Sequence, residues 1–263
     1  MTNALLTTDW HQHSEHSVDC RATGRSLARV TDEMAALGVT AYGISDHLHT
    51  PLNLPDIVAA RADYLATDRP AGFRFGVEVS VVSAWELGEI AAGRVTEAPY
   101  GVRSGGPAGA APALALQAEH VAELGIEYVV GGTHWPLYAP LERQAIIRDY
   151  HRQNLFLATH PLVTVVAHPW WWMGHWREDI GPYGMYRHEP WLDDFRHVPA
   201  AMHDEFVAAV LQHGKVVEAN LWACLCNPCY PERFRRQYAE TLADWQARGV
   251  VLSFGSDDHG VST

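Results

Sequence analysis

The chain has 263 residues, 48% of them apolar, with 19 Lys and Arg against 31 Asp and Glu. That apolar content is ample for a core and excludes wholesale disorder, and one α/β domain over 1–263 is the expected organisation. A formal charge of −12 with no Lys/Arg block argues against nucleic acid and against an anionic membrane surface as partners. Met1 to Trp10 has neither a basic start nor a long apolar core, no apolar run is long enough to span a bilayer, and four cysteines do not make a disulfide framework, so a cytoplasmic setting is expected.

Apolar and β-branched segments without polar alternation read as strands covered on both faces. The first is Leu5–Trp10. A helix follows over Arg25–Leu37, with Leu27, Val30, Met34 and Leu37 on one face and Gly38 closing it. Strand Thr40–Ser45, helix Leu54–Leu65 (after a possible cap at Asn53) and strand Phe73–Val82 come next. The Gly/Pro/Ala-rich stretch Ala98–Pro112 reads as a mobile surface loop, and Pro112–Leu124 as a helix closed by Gly125. Strand Glu127–Gly132, helix Leu141–Leu157 and strand Val163–Ala167 precede a long irregular stretch, His168 to Val198. Helix Pro199–Gln212, strand Lys215–Leu221, helix Pro231–Arg248 and strand Val250–Gly255 complete the series, with Gly214 and Gly249 as helix stops. Seven strands alternating with helices argue for a parallel sheet, either a closed barrel or an open doubly wound sheet. No GxGxxG follows the first strand and no GxxxxGK[ST] occurs, which counts against the nucleotide-binding forms.

Sixteen histidines stand out, and six of them fall with carboxylates at the strand ends. His11 and His13, Asp46 and His47, Glu78, His134, His168, Glu218 and Asn220, and Asp257 and His259 follow or end successive strands. In a parallel barrel those ends share one face. His11 and His13 lie two apart, so both point the same way from an extended chain, and Asp257 and His259 repeat the spacing. An imidazole and carboxylate set suits Zn²⁺, Mn²⁺ or Fe²⁺, not the all-oxygen shells of Mg²⁺ or Ca²⁺.

The ordered series resembles the PHP family, the polymerase and histidinol phosphatase metallohydrolases. The matching pieces are His11-Gln12-His13-Ser14 with Ser17 and Asp19, Ile44-Ser45-Asp46-His47, Gly76-Val77-Glu78, Gly132-Thr133-His134, Val166-Ala167-His168-Pro169, Glu218-Ala219-Asn220 and Gly255-Ser256-Asp257-Asp258-His259. The resemblance implies a distorted (β/α)7 TIM-like barrel holding two to three divalent transition-metal ions. His11, His13, Glu78 and Asp257 would hold one ion. Glu78 would bridge to a second with His134 and His168, and Asp19, His47 and His259 would hold a third. His16 is an extra histidine in the first motif, expected to lie outside the ligand set. Relatives continue into an outer helix beyond the point that matches Thr263, so either the protein is short or its native C-terminus extends further; without that helix an uncovered apolar flank would favour a homo-oligomer.

Two close ions sharing a carboxylate lower the pKa of a bridging water and neutralise an electrophile's oxygens. The expected activity is therefore a metal-dependent hydrolase of a small phosphate monoester, with a metal-bridging hydroxide as nucleophile. A phosphodiesterase, an amidohydrolase-type enzyme and a non-catalytic metal-bound module are the alternatives. Asp257 and His259 are expected at the reacting centre. Asp46 is expected either to orient a ligand imidazole or to cap a turn. The small anionic substrate would be met by Trp170, His175, Arg177, Arg187 and Asn220, with His188 as a further acid. The rings of Trp170, Trp171, Trp172 and Trp176, with Trp191 beyond, either line a pocket or bury the barrel mouth. Cys224, Cys226 and Cys229 form CxCxxC, which with Cys20 either binds metal or packs as reduced thiols.

Overall fold

Every expected strand forms, and each pairs in parallel with its neighbours. In the computed structural model, which describes residues 7–140, 142–171, 193–228 and 230–260, the order is β1 (Thr8–Asp9), α1 (Leu27–Leu37), β2 (Ala41–Ile44), β3 (His47–Leu48), α2 (Leu54–Ala66), β4 (Phe73–Ser80), β5 (Val82–Ser83), α3 (Ala84–Ala91), β6 (Pro112–Ala113), α4 (Ala118–Leu124), β7 (Tyr128–Gly132), α5 (Arg143–Thr159), β8 (Val165–Ala167), α6 (Ala200–His213), β9 (Val216–Asn220), α7 (Glu232–Ala247) and β10 (Val251–Gly255). The strands run β1-β2-β4-β7-β8-β9-β10, with β3 beside β4. This is a nearly closed α/β barrel of seven parallel strands. Of the two sheet forms the alternation allowed, the closed one is present.

A seam joins the first strand to the last. Trp10 N donates to Phe254 O (3.1 Å), Asp257 N to His11 O (2.8 Å) and His13 N to Asp258 O (3.1 Å). The fully buried Arg25 laces it: Nη1 donates to the carbonyls of His13 (2.6 Å) and Asp258 (2.8 Å), and Nη2 to Gln12 Oε1 (2.9 Å). Inside the barrel Tyr128 donates to Ile44 O at 2.9 Å. A Cβ on Gly43 would strike the Tyr128 hydroxyl at 2.3 Å and one on Gly76 its ring at 2.4 Å, so glycine makes the room.

Three local expectations change. Only Ala118–Leu124 of the stretch 112–124 is helical. Pro112 and Ala113 pair with β5, and Leu114 to Leu116 are buried, since burying that apolar run in the core outweighs its helical pattern. Helix α3 was not expected, although Ser83 caps it by accepting from Glu86 N (3.0 Å), a serine-x-x-glutamate start signal. Leu37, placed on the buried face of α1, is 71% exposed, because the face ends at Met34 and Gly38 turns the chain away in the left-handed region. The loop 98–112 is anchored, not free. Glu86 Oε1 accepts from Val102 N at 2.6 Å, and Tyr138 donates to Val102 O at 3.0 Å. Gly101, at φ 81°, leaves the space there that a Cβ would take from Arg103 and Glu86. Among the described residues no helix is long and apolar enough to cross a membrane.

Helices α5, α6 and α7 meet in a patch where His203 lies against Trp170, Phe195 and Trp245. Burial foremost lowers the His203 pKa to about 4. An unfolded chain takes up that proton near pH 6.5. Between the two values the unfolded state binds more protons, so this contribution is present above pH 6.5 and is lost on acidification towards pH 4. The loss is at most about 3 kcal/mol. Denaturant midpoints measured from pH 7 to pH 4 in chelator should therefore fall less steeply for His203→Gln than for wild type. Parallel curves would contradict the assignment.

Candidate metal centre

Past Asp9 the chain stays extended, and alternation sends His11 and His13 to one side and Gln12 to the other, where its amide reaches Met34 and Arg25. β4 delivers Glu78, β3 starts at His47, and His134 and His168 follow β7 and β8. After β10 the backbone turns through Asp257 at φ 56°. These elements bring one buried carboxylate against five imidazoles. Glu78 Oε2 lies 3.0 Å from His11 Nε2, 3.5 Å from His13 Nε2 and 2.9 Å from His47 Nδ1, and Oε1 lies 3.1 Å from both His134 Nε2 and His168 Nε2. Asp257 Oδ1 stands 3.4 and 3.3 Å from the same nitrogens of His11 and His13. At the outer edge Asp19 Oδ2 is 3.2 Å from His47 Nε2 and 3.1 Å from His259 Nε2.

The donor chemistry fits divalent transition ions. His11 Nε2, His13 Nε2, His47 Nδ1 and Glu78 Oε2 are buried without hydrogen-bond partners, a costly state for polar atoms that a cation relieves. Donors about 2.1 Å from a tetrahedral ion sit roughly 3.4 Å apart, close to the spacings found here.

Second-layer bonds hold the rings with the inward nitrogens free. His11 Nδ1 donates to Glu218 Oε1 (2.7 Å), and Glu218 Oε2 accepts from His168 N (2.9 Å). His13 Nδ1 donates to Ser17 Oγ (3.3 Å), and His259 Nδ1 to Asp257 O (2.9 Å). His134 Nδ1 donates to Ser80 Oγ (2.8 Å), which in turn donates to His49 Nδ1 (2.6 Å). Such partners fix the ring tautomer and orientation.

The electrostatics follow from burial and neighbours in the metal-free chain. Burial pushes the Glu78 carboxyl up, but His11, His47 and His134 outweigh it and hold its pKa well below the usual range. Asp257 is likewise depressed, burial being overcome by His11, His13 and His259. Burial, reinforced by His259 and His47, lowers His13 to about 3. It lowers His134 to about 4 despite Glu78. Those two rings are neutral at pH 7, the form that can donate a lone pair to a metal. Burial also opposes charge on His11, but Glu218, Glu78 and Asp257 raise it well above the ordinary histidine value. A cation there competes with that proton.

Of the sequence candidates, His11, His13, Asp19, His47, Glu78, His134, His168, Asp257 and His259 come together at the barrel mouth. Three others are engaged by the protein itself. Both Asp46 oxygens are taken by Ser14, from N at 2.6 Å and Oγ at 2.7 Å, so of its two expected roles this carboxylate fills the turn clamp. Asn220 is fully buried; Nδ2 donates to Glu218 (3.0 Å) and Asp257 (3.2 Å) while Oδ1 caps Ala223 N, so it steadies carboxylates and does not face substrate. Trp170 is also fully buried, packed on His151 and His203, because φ of 26° at His168 and 70° at Trp170 turns the chain so that the ring enters the core. Trp171 faces the site instead, its ring 4.9 Å from His168 and 5.7 Å from His134. His16 pairs with Asp63 at 2.6 Å, outside the donor set. Cys224 is buried and Cys226 exposed, so the two do not share an environment. Trp172, His175, Trp176, Arg177, Arg187, His188, Trp191 and Cys229 lie outside the described residues.

The sequence reading missed His49 and Ser80, although Asp46-His47-Leu48-His49 repeats the two-residue histidine spacing. It also missed the wall made by the loop 98–112. Tyr100 packs 5.6 Å from His49, and the Arg103 guanidinium lies 3.4 Å over the Trp135 ring, itself 5.3 Å from His134. Beside Asp257 and His259 opens a cavity of about 290 Å³, walled opposite by Leu221, Trp222 and Cys226.

No protein-family model matches the chain, and no curated protein matches it in sequence. Solved structures do match. One is described as the "putative histidinol phosphatase hisK" from Listeria monocytogenes, with a TM-score of 0.56 and 12% identity over 97% of this chain and 96% of that one. The likeness is one of fold. It extends over the whole barrel, and buried His, Glu and Asp clusters compatible with metal binding stand at the mouth.

Proposed function

We propose that this chain is a PHP-type, metal-dependent phosphatase acting on a small phosphate monoester. The observation that carries the reading is Glu78, a single buried carboxylate in contact with five imidazoles where the strands end. His11, His13, Glu78 and Asp257 would hold one ion, and Glu78, His134 and His168 a second. Bound there, Zn²⁺, Mn²⁺ or Fe²⁺ supplies Lewis acidity towards phosphoryl oxygens and activates water. The protein's own contribution is positional. Glu218 and Ser80 keep His11 and His134 turned inward, and Asp257, steadied by Asn220, presents its carboxylate to the reacting region. The cavity walled by Leu221 and Trp222 is large enough for a small organic leaving group. The name given to the Listeria structure, "putative histidinol phosphatase", agrees with a phosphomonoester substrate.

Among the described residues that line the cavity there is no Lys or Arg. That favours a second reading, a phosphodiesterase or an amidohydrolase, whose substrate brings less negative charge. Aryl phosphate, aryl phosphodiester and amide panels assayed with each of the three metals separate the readings. Monoester turnover that disappears in His11→Ala supports the first. Turnover confined to diesters or amides replaces it. No turnover with any metal, and no difference between wild type and His11→Ala, removes both.

A further inference from the structure

The edge of the centre holds a donor that the carboxylate and imidazole set does not include. Asp19 Oδ2 touches His47 Nε2 at 3.2 Å and His259 Nε2 at 3.1 Å. The next residue, Cys20, is fully buried, and its Sγ lies with donor atoms of Asp19 and His259 inside a 4.8 Å span. The chain folds back to put it there. Cys20 N donates to Ser17 O and Thr23 N to Cys20 O, both at 2.9 Å, so residues 17–23 form successive tight turns.

We infer that the third ion position is a mixed-donor site built on the Asp19, Cys20 and His259 cluster and completed by His47, which touches Asp19 at 3.2 Å, in which Cys20 ligates as thiolate and selects a thiophilic ion. This rests on the metal-centre reading proposed above. Ion entry releases the Cys20 thiol proton to solvent, and the sulfur lone pair forms the new bond. One carboxylate, one thiolate and a divalent cation sum to zero charge, which suits a pocket where Cys20 has no access to water. Two nitrogens, one oxygen and one sulfur match tetrahedral Zn²⁺ or Co²⁺ and disfavour Mn²⁺, whose preferred donors are oxygens. His259 is already set for the task, because its Nδ1 donates to Asp257 O and leaves Nε2 free.

Cobalt titration of metal-free protein tests this, with bound cobalt counted in parallel. Wild type should develop a near-ultraviolet sulfur-to-cobalt charge-transfer band. Cys20→Ser should lose the band and bind the last cobalt equivalent at least tenfold more weakly, while Cys226→Ser keeps both. X-ray absorption of zinc-loaded wild type needs no variant and should show sulfur at about 2.3 Å. Cobalt or zinc bound with nitrogen and oxygen donors alone would overturn the inference and leave the metal centre standing. No metal bound to wild type would overturn both.

Discussion

On the proposed function, Glu78→Gln should abolish metal binding and lower turnover about a thousandfold. The carboxylate is the one group shared by His11, His13, His47, His134 and His168, and each of its oxygens serves a different subset of them. An amide keeps the shape but removes the charge, and its NH₂ points hydrogens at nitrogens that must offer lone pairs. Losing metal stabilisation of transition-state charge costs several kcal/mol, and about 4 kcal/mol corresponds to the thousandfold. Elemental analysis and steady-state phosphatase kinetics check both halves. Full metal content at the wild-type rate would show that Glu78 is only a structural carboxylate.

The second large effect concerns a residue with no side chain. A Cβ at Gly132 would sit 2.6 Å from His134 Cε1, 2.8 Å from Glu78 Oε1 and 2.8 Å from His168 Cε1. No one neighbour can yield alone, since all three converge on the same point and two are held from behind, His134 by Ser80 and His168 through its backbone by Glu218. Gly132→Ala should therefore spread the second ion's donors by about an ångström, a displacement that costs on the order of a hundredfold in rate. Metal content should fall by one ion while that of the first position persists. Unfolding curves taken in chelator separate this from a general loss of stability. Wild-type metal content and rate in the alanine variant would mean that the site has slack the packing does not suggest.

The strand-end donors were legible because strand geometry is periodic, whereas Asp19 and the grouping of donors by ion came only from the family resemblance. His11 and His13 had to share a side, and parallel strands had to end together, so carboxylates and imidazoles after successive strands were bound to converge. What escaped depended on contacts between distant residues. Nothing near Asp46 announces that Ser14 occupies both its oxygens, and nothing near Asn220 announces that Glu218 and Asp257 use its amide. Trp170 and Trp171 are neighbours of the same type, and only the left-handed backbone before them sends one to the core and the other to the site. In the loop 98–112, glycine and proline suggested freedom. Its anchor, Glu86, lies on a helix that the reading had not placed.

The barrel's seam has a thermodynamic corollary. His11 and His13 stand on one lip of it and Asp257 and His259 on the other, so any cation taken up at the first position rivets residues far apart in the chain. Closing the ring and loading the ion are then one equilibrium, and each tenfold rise in free ion above its dissociation constant clamps the seam by about 1.4 kcal/mol more.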